Sequence, residues 1–115
     1  MPELVSQQRD DVLVARFSSE KIFADAAIQQ TGDELVNLVD QSDGKLLLDF
    51  EPVKFMSSLM IGKIIILRKK CKASAVTIKL CNICPSVMGV FEVTRLDRLF
   101  KMYDTVEDAL NAFSD

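Results

Sequence analysis

The chain has 115 residues, of which 49% are apolar and 27% charged, and a formal net charge of −3. This length suits one domain, residues 1–115, with a sizeable core, and the composition is that of a globular protein, which excludes disorder. No basic surplus marks a nucleic-acid footprint, and no apolar run is long enough to span a bilayer. The start, Met1-Pro-Glu-Leu4, lacks a basic stretch followed by an apolar one, so the cytoplasm is the expected compartment.

In chain order, Leu4–Arg9 and Val12–Phe17 read as short strands joined at Asp10-Asp11, a hairpin without the usual glycine. Residues 18–21 read as a loop. From about Asp25 to Ser42 the pattern predicts a helix with Ala26, Ala27, Leu35, Leu38 and Val39 as its apolar positions. Thr31-Gly32-Asp33 is expected to interrupt it, with the main helix capped near Asp33. Asp43-Gly44 is a stop signal. Lys45–Phe50, with three consecutive leucines, reads as a central strand covered on both faces.

The stretch Phe55–Lys70 predicts a helix opened by Ser57-Ser58. At about 100° per residue, Met60, Ile61, Ile64, Ile65 and Leu67 form a core stripe, with Arg68 as a late exception. Ser58, Leu59, Gly62, Lys63, Ile66, Lys69 and Lys70 fall on the other side. A serine at a helix start accepts a bond from a free backbone N–H, and the same N–H groups welcome a phosphate. The pair is therefore either a cap or a switch that is charged and discharged. Leu59, Ile66 and the bare Gly62 beside it are either a docking face or a surface covered by another element of the chain.

Residues 73–75 read as a turn and Ala75–Leu80 as the next strand. Pro85 suits the first position of a helix over 86–93. Leu99–Tyr103 reads as a last strand. Asp104 or Thr105 then caps a helix over Val106–Phe113, whose apolar face is Val106, Ala109, Leu110 and Phe113. The order is an α/β alternation, which predicts a mostly parallel central sheet of about five strands, led by a β-hairpin and covered by about four helices.

Catalytic chemistry is not expected. The chain has no histidine, so Ser-His-Asp and Cys-His sites are excluded, and Gly32, Gly44, Gly62 and Gly89 are too scattered for a phosphate loop. Asp10-Asp11 and Glu107-Asp108 are explained by a turn and by the first turn of a helix. Three cysteines without an export signal do not make a disulfide framework. Cys81-Asn-Ile-Cys84 has redox spacing, but Cys81 closes an apolar run and reads more simply as a strand end; with only Cys71 in addition, a zinc ligand set is not reached. Neither metal nor cofactor is expected.

The order of elements, the stretch Leu46-Leu-Leu-Asp-Phe50 followed by Val53 and Phe55-Met-Ser-Ser58, and the ending Thr94-Arg-Leu-Asp-Arg-Leu-Phe100 with Tyr103-Asp-Thr105 and Ala109-Leu110, closely resemble the STAS domain. The resemblance is to small stand-alone bacterial anti-sigma-factor antagonists and covers essentially the whole chain. It implies the STAS fold and partner switching. In that family an anti-sigma factor that is also a serine kinase phosphorylates a serine opening the second helix, and a metal-dependent serine phosphatase reverses this. The unphosphorylated antagonist binds the anti-sigma factor and frees the sigma factor, so the function lies in transcription regulation without direct contact to nucleic acid or membrane.

The family pattern Phe-(Met/Ile)-Asp-Ser-(Ser/Thr)-Gly-Leu-Gly puts its phosphoserine on Ser58, its aspartate on Ser57 and its final glycine on Gly62. Leu59 and Met60 stand where it has a hydroxyl residue and a glycine. The loss of the aspartate offers Ser57 as a rival acceptor. The expected contact face is Ser57, Ser58, Leu59, Gly62, Lys63 and Ile66. The alternative is a STAS scaffold of a larger signalling complex that is never phosphorylated, and a weak homodimer is left open.

Overall fold

The computed structural model describes residues 2–114. Strands β1 (Leu4–Arg9) and β2 (Val12–Phe17) form an antiparallel hairpin with Leu4 opposite Phe17 and Arg9 opposite Val12. The missing turn glycine is replaced by Asp10, which takes the left-handed conformation itself at φ 55°; aspartate tolerates that region better than most residues. The chain continues through β3 (Lys21–Ile22), α1 (Asp25–Gln41), β4 (Lys45–Asp49), β5 (Phe55–Met56), α2 (Met60–Ala73) and β6 (Thr77–Cys81). It ends with α3 (Pro85–Val93), a 3-10 turn at Leu96–Arg98, β7 (Lys101–Tyr103) and α4 (Val106–Phe113).

The main sheet has the order β1-β2-β4-β6-β7, parallel from β2 onward, so the α/β sheet led by a hairpin is as expected. From β2 to β7 each new strand is added on the same side of the last. Right-handed crossovers that always advance in one direction put every connecting helix on one face. Thus α1, α2 and α3 share one core on that face, and α4, which follows the last strand, covers the opposite face. The three leucines of β4 show the division, since successive strand side chains point to opposite faces. Leu46 and Leu48 join the core beneath α1–α3, whereas Leu47 packs with Val12, Val14, Ala109 and Phe113 under α4. All three are fully buried, and each such burial is worth about 1.5–3 kcal/mol.

Several expected boundaries are corrected. Helix α1 is not interrupted at residues 31–33. Thr31 is buried within it and its hydroxyl donates to the Ala27 carbonyl at 2.6 Å, which satisfies the polar group inside the helix. Gly32 is there for close packing: a β-carbon on it would meet Lys63 Cδ at 2.6 Å. The helix begins after Ala24 with no side-chain cap, Ala26 is exposed, and Ile28 joins Leu35, Leu38 and Val39 in the buried stripe.

The second helix starts at Met60, just after the serine pair expected to open it. Phe55–Met56 pairs in parallel with Lys21–Ile22, so part of the expected loop and the two residues ahead of the serine pair form a separate two-stranded ladder. Ile65 is 36% exposed and leaves the core stripe, which Cys71 completes at the far end. Leu99 lies outside the last strand, exposed after the 3-10 turn, and Phe100 is buried instead. Pro85 does open α3, and Thr105 is the cap of α4, its hydroxyl accepting from the Asp108 N–H at 3.0 Å.

Candidate functional site

The serine pair lies in the turn between β5 and α2. Short backbone bonds anchor that turn: the Lys54 and Phe55 N–H groups donate to the Glu20 carbonyl, and the Ser57 N–H donates to the Ile22 carbonyl at 2.8 Å. The two serines then divide. The Ser57 hydroxyl accepts from the Leu59 N–H at 3.2 Å and its carbonyl accepts from the Met60 N–H at 3.0 Å, so Ser57 closes the turn ahead of the helix, whose cap residue Leu59 has no side-chain cap bond. Ser58 gives its carbonyl to the Ile61 N–H at 3.1 Å. Its side chain is exposed and has no hydrogen bond among the described residues. A hydroxyl in that state is accessible and keeps both lone pairs and its proton for chemistry.

Around it, Leu59 is 65% and Ile66 52% exposed, and Gly62 has open space above it. Lys63 sits differently from these. Its stem runs across Gly32 and its Nζ donates to Gln29 Oε1 at 3.0 Å, so it belongs to the seam between α1 and α2. Two aromatics that the sequence reading did not single out flank the turn. Phe23 and Phe55 are both exposed and meet edge to face, with centroids 6.2 Å apart. A phenylalanine immediately before the serine turn was the available signal for Phe55; nothing local marked Phe23, which the β3–β5 pairing brings beside it.

The cysteines are core thiols in the main. Burial, with the nearby Asp49 carboxylate second, pushes the Cys81 thiol up to about 12, and burial pushes Cys71 up to about 11. Cys81 Sγ donates to the Leu48 carbonyl and Cys84 Sγ to the Val53 carbonyl. A thiol so far from its thiolate form is a poor nucleophile or metal ligand. Among the described residues no three His, Cys, Asp or Glu side chains gather as a metal site, and no helix is long and apolar enough to cross a membrane.

On the α4 side, a groove of about 540 Å³ runs over β1, β2 and β4. Its charges pair with one another: Arg16 with Glu51 at 2.9 Å and Arg9 with Glu107 at 3.4 Å. The buried Asp49 accepts through Oδ1 from the Glu51 N–H and from Asn82 Nδ2.

A hairpin-led parallel sheet with three helices on one face, and a serine turn opening the second of them, is the architecture of a STAS domain. The family model for that domain matches residues 3–109, and the chain belongs to the STAS domain family. Among solved structures it is similar to an anti-sigma-factor antagonist (STAS) domain protein from Planctomyces limnophilus, with a TM-score of 0.85 and 23% identity over 97% of this chain and 98% of that one. It is also similar to the anti-sigma factor antagonist SpoIIAA in its unphosphorylated form (TM-score 0.78, 22% identity, 96% of each chain). The same Bacillus cell fate determinant in its phosphorylated form gives a TM-score of 0.71 at 21% identity, over 96% of this chain and 98% of that one.

Proposed function

We propose that this protein is an anti-sigma-factor antagonist that works by partner switching, with Ser58 as the phosphorylated residue. Unphosphorylated, it binds an anti-sigma factor that is also a serine kinase; a metal-dependent serine phosphatase restores that state. The contact face comprises Ser57, Ser58, Leu59, Gly62 and Ile66, with Lys63 at its edge in the α1–α2 seam, and the whole chain acts as one cytoplasmic domain. One observation carries the choice of acceptor: the Ser58 hydroxyl is exposed and unbonded, whereas the Ser57 hydroxyl is held by the Leu59 N–H. Similarity to SpoIIAA, a protein solved in both phosphorylation states, supports the reading.

The physics is consistent with a switch of the interface alone. Phosphate adds about −1.5 to −2 charges and strong hydration to an exposed hydroxyl. The helix start favours that charge, so the fold persists. A partner that must bury Leu59 and Ile66 is repelled by the new hydrated anion beside them. The test is mass spectrometry of the tryptic peptide Phe55–Lys63 from native cells, with fragmentation to place the phosphate. Phosphate on Ser58 is the expected result. Phosphate on Ser57, or none through growth, starvation and stress, overturns it and leaves a constitutive STAS scaffold.

A further inference from the structure

The outward face of α2 carries more than the serine turn. Gly62, Ile66, Lys69 and Ala73 recur at helical spacing, so they form a straight stripe along the helix, and all four are exposed. A β-carbon on Gly62 would meet nothing within 4 Å, so the stripe begins with a notch that gives a second helix room for close approach. Ile66 and Ile65, 52% and 36% exposed, provide apolar surface next to the notch.

Charge completes the pattern. Helix α2 carries Lys63, Arg68, Lys69, Lys70 and Lys72 and no acidic residue, in a chain of net charge −3. The helix dipole accounts for cations in the last turn, but it does not require that acids be missing from the whole helix. Lys70 is paired with Asp40 at 3.1 Å, and Arg68 Nε donates to the Leu99 carbonyl at 3.3 Å. Lys69 and Lys72 have no ion pair or side-chain hydrogen bond among the described residues. Two unpaired cations thus continue the apolar stripe toward the end of the helix.

We propose that this stripe seats an acidic amphipathic helix of a partner protein, with its aliphatic side chains over Gly62 and Ile66 and its carboxylates over Lys69 and Lys72. The inference deepens the reading of Ser58 as a switch and rests on it for its regulation. Phosphate on Ser58 places charge of the occupant's own sign, with its hydration, at the apolar end of the seat. Repulsion and lost apolar burial then act together.

The test titrates the isotope-labelled 115-residue chain with a designed leucine–glutamate amphipathic helix and follows backbone amide resonances. Controls are the same peptide with lysine for every glutamate and a scrambled acidic peptide. The expected result is saturable shifts at Gly62, Ile65, Ile66, Lys69 and Lys72 with the acidic helix alone. Binding should weaken about tenfold in a Lys69→Glu/Lys72→Glu double variant, because reversing two exposed charges opposes the attraction twice over. The lysine peptide should bind that variant better than the native chain.

No saturable shifts on α2, equal binding of the lysine or scrambled peptide, or undiminished binding by the double variant each overturns the proposal. So does titration-independent broadening of the same resonances with protein concentration, which would make a second copy the occupant. Binding of anionic vesicles in place of the peptide would likewise overturn it. Ser58→Glu separates the two readings. Equal binding by native and Ser58→Glu chains keeps the seat and removes its switch; phosphorylated Ser58 without peptide binding keeps the switch and removes the seat.

Discussion

Lys63 of α2 lies across Gly32 of α1, so that the lysine stem occupies the space a side chain at residue 32 would need. The two residues are a matched pair. Gly32→Ala gains up to about 1 kcal/mol in helix propensity but displaces Lys63 and its bond to Gln29. The expected outcome is a change in unfolding free energy close to zero in the native background. With Lys63→Ala already present, Gly32→Ala should stabilise by about 1 kcal/mol. Urea unfolding of the four proteins of this cycle checks the coupling.

The two serines should separate in stability. Ser57→Ala removes the acceptor of the Leu59 N–H and should cost about 0.5–1 kcal/mol. Ser58→Ala removes an exposed, unbonded hydroxyl and should stay within about 0.5 kcal/mol of the native chain. Thermal or chemical unfolding of both variants is the measurement, and equal costs would contradict the division of roles.

Glu34 of α1 holds the start of the edge strand β1, accepting from the Glu3 N–H through both carboxylate oxygens and from the Leu4 N–H, with Gln30 donating to it as well. Burial pushes its carboxyl up, and the bonds from Glu3, Gln30 and Leu4 outweigh that, holding it below its usual 4.5. A lowered folded-state value stabilises above the unfolded value, and the contribution disappears as pH falls through the folded one. Glu34→Gln should therefore be less stable than the native chain at neutral pH, by about 1 kcal/mol after allowing for solvent screening. The gap should narrow as pH falls below 4.5 and through the lowered folded-state value. Unfolding curves of both proteins across pH 3–7 decide it.

Thiol reactivity should rank by burial. At pH 8 in the folded state, Cys84, which is only half-buried, should be alkylated first, while Cys71 and Cys81, with thiols pushed up to about 11 and about 12, stay protected. Timed alkylation read by mass spectrometry gives the order. Early labelling of Cys81 would restore a redox role for Cys81-Asn-Ile-Cys84.

What could be read from the sequence was whatever depends on neighbours along the chain. The triple leucine of β4, Pro85 at the start of α3 and the Thr105 cap of α4 state their roles locally, and the alternation of strands and helices then restricts the sheet to one sense of winding. The serine turn was visible for the same reason, since a hydroxyl before an apolar run is a local helix-start signal.

Tertiary structure decided what depends on distant residues. Thr31-Gly32 looked like a break because its justification, the stem of Lys63, is supplied by another helix. The β3–β5 ladder has two residues in each strand, too few for any periodicity, and exists because the chain returns beside itself. That ladder holds the turn ahead of α2, set Phe23 against Phe55, and assigned Ser57 to the backbone while leaving Ser58 free. Local sequence determined that a serine would open this helix; only packing decided which serine faces solvent, because that choice depends on where the Ile22 carbonyl holds the turn.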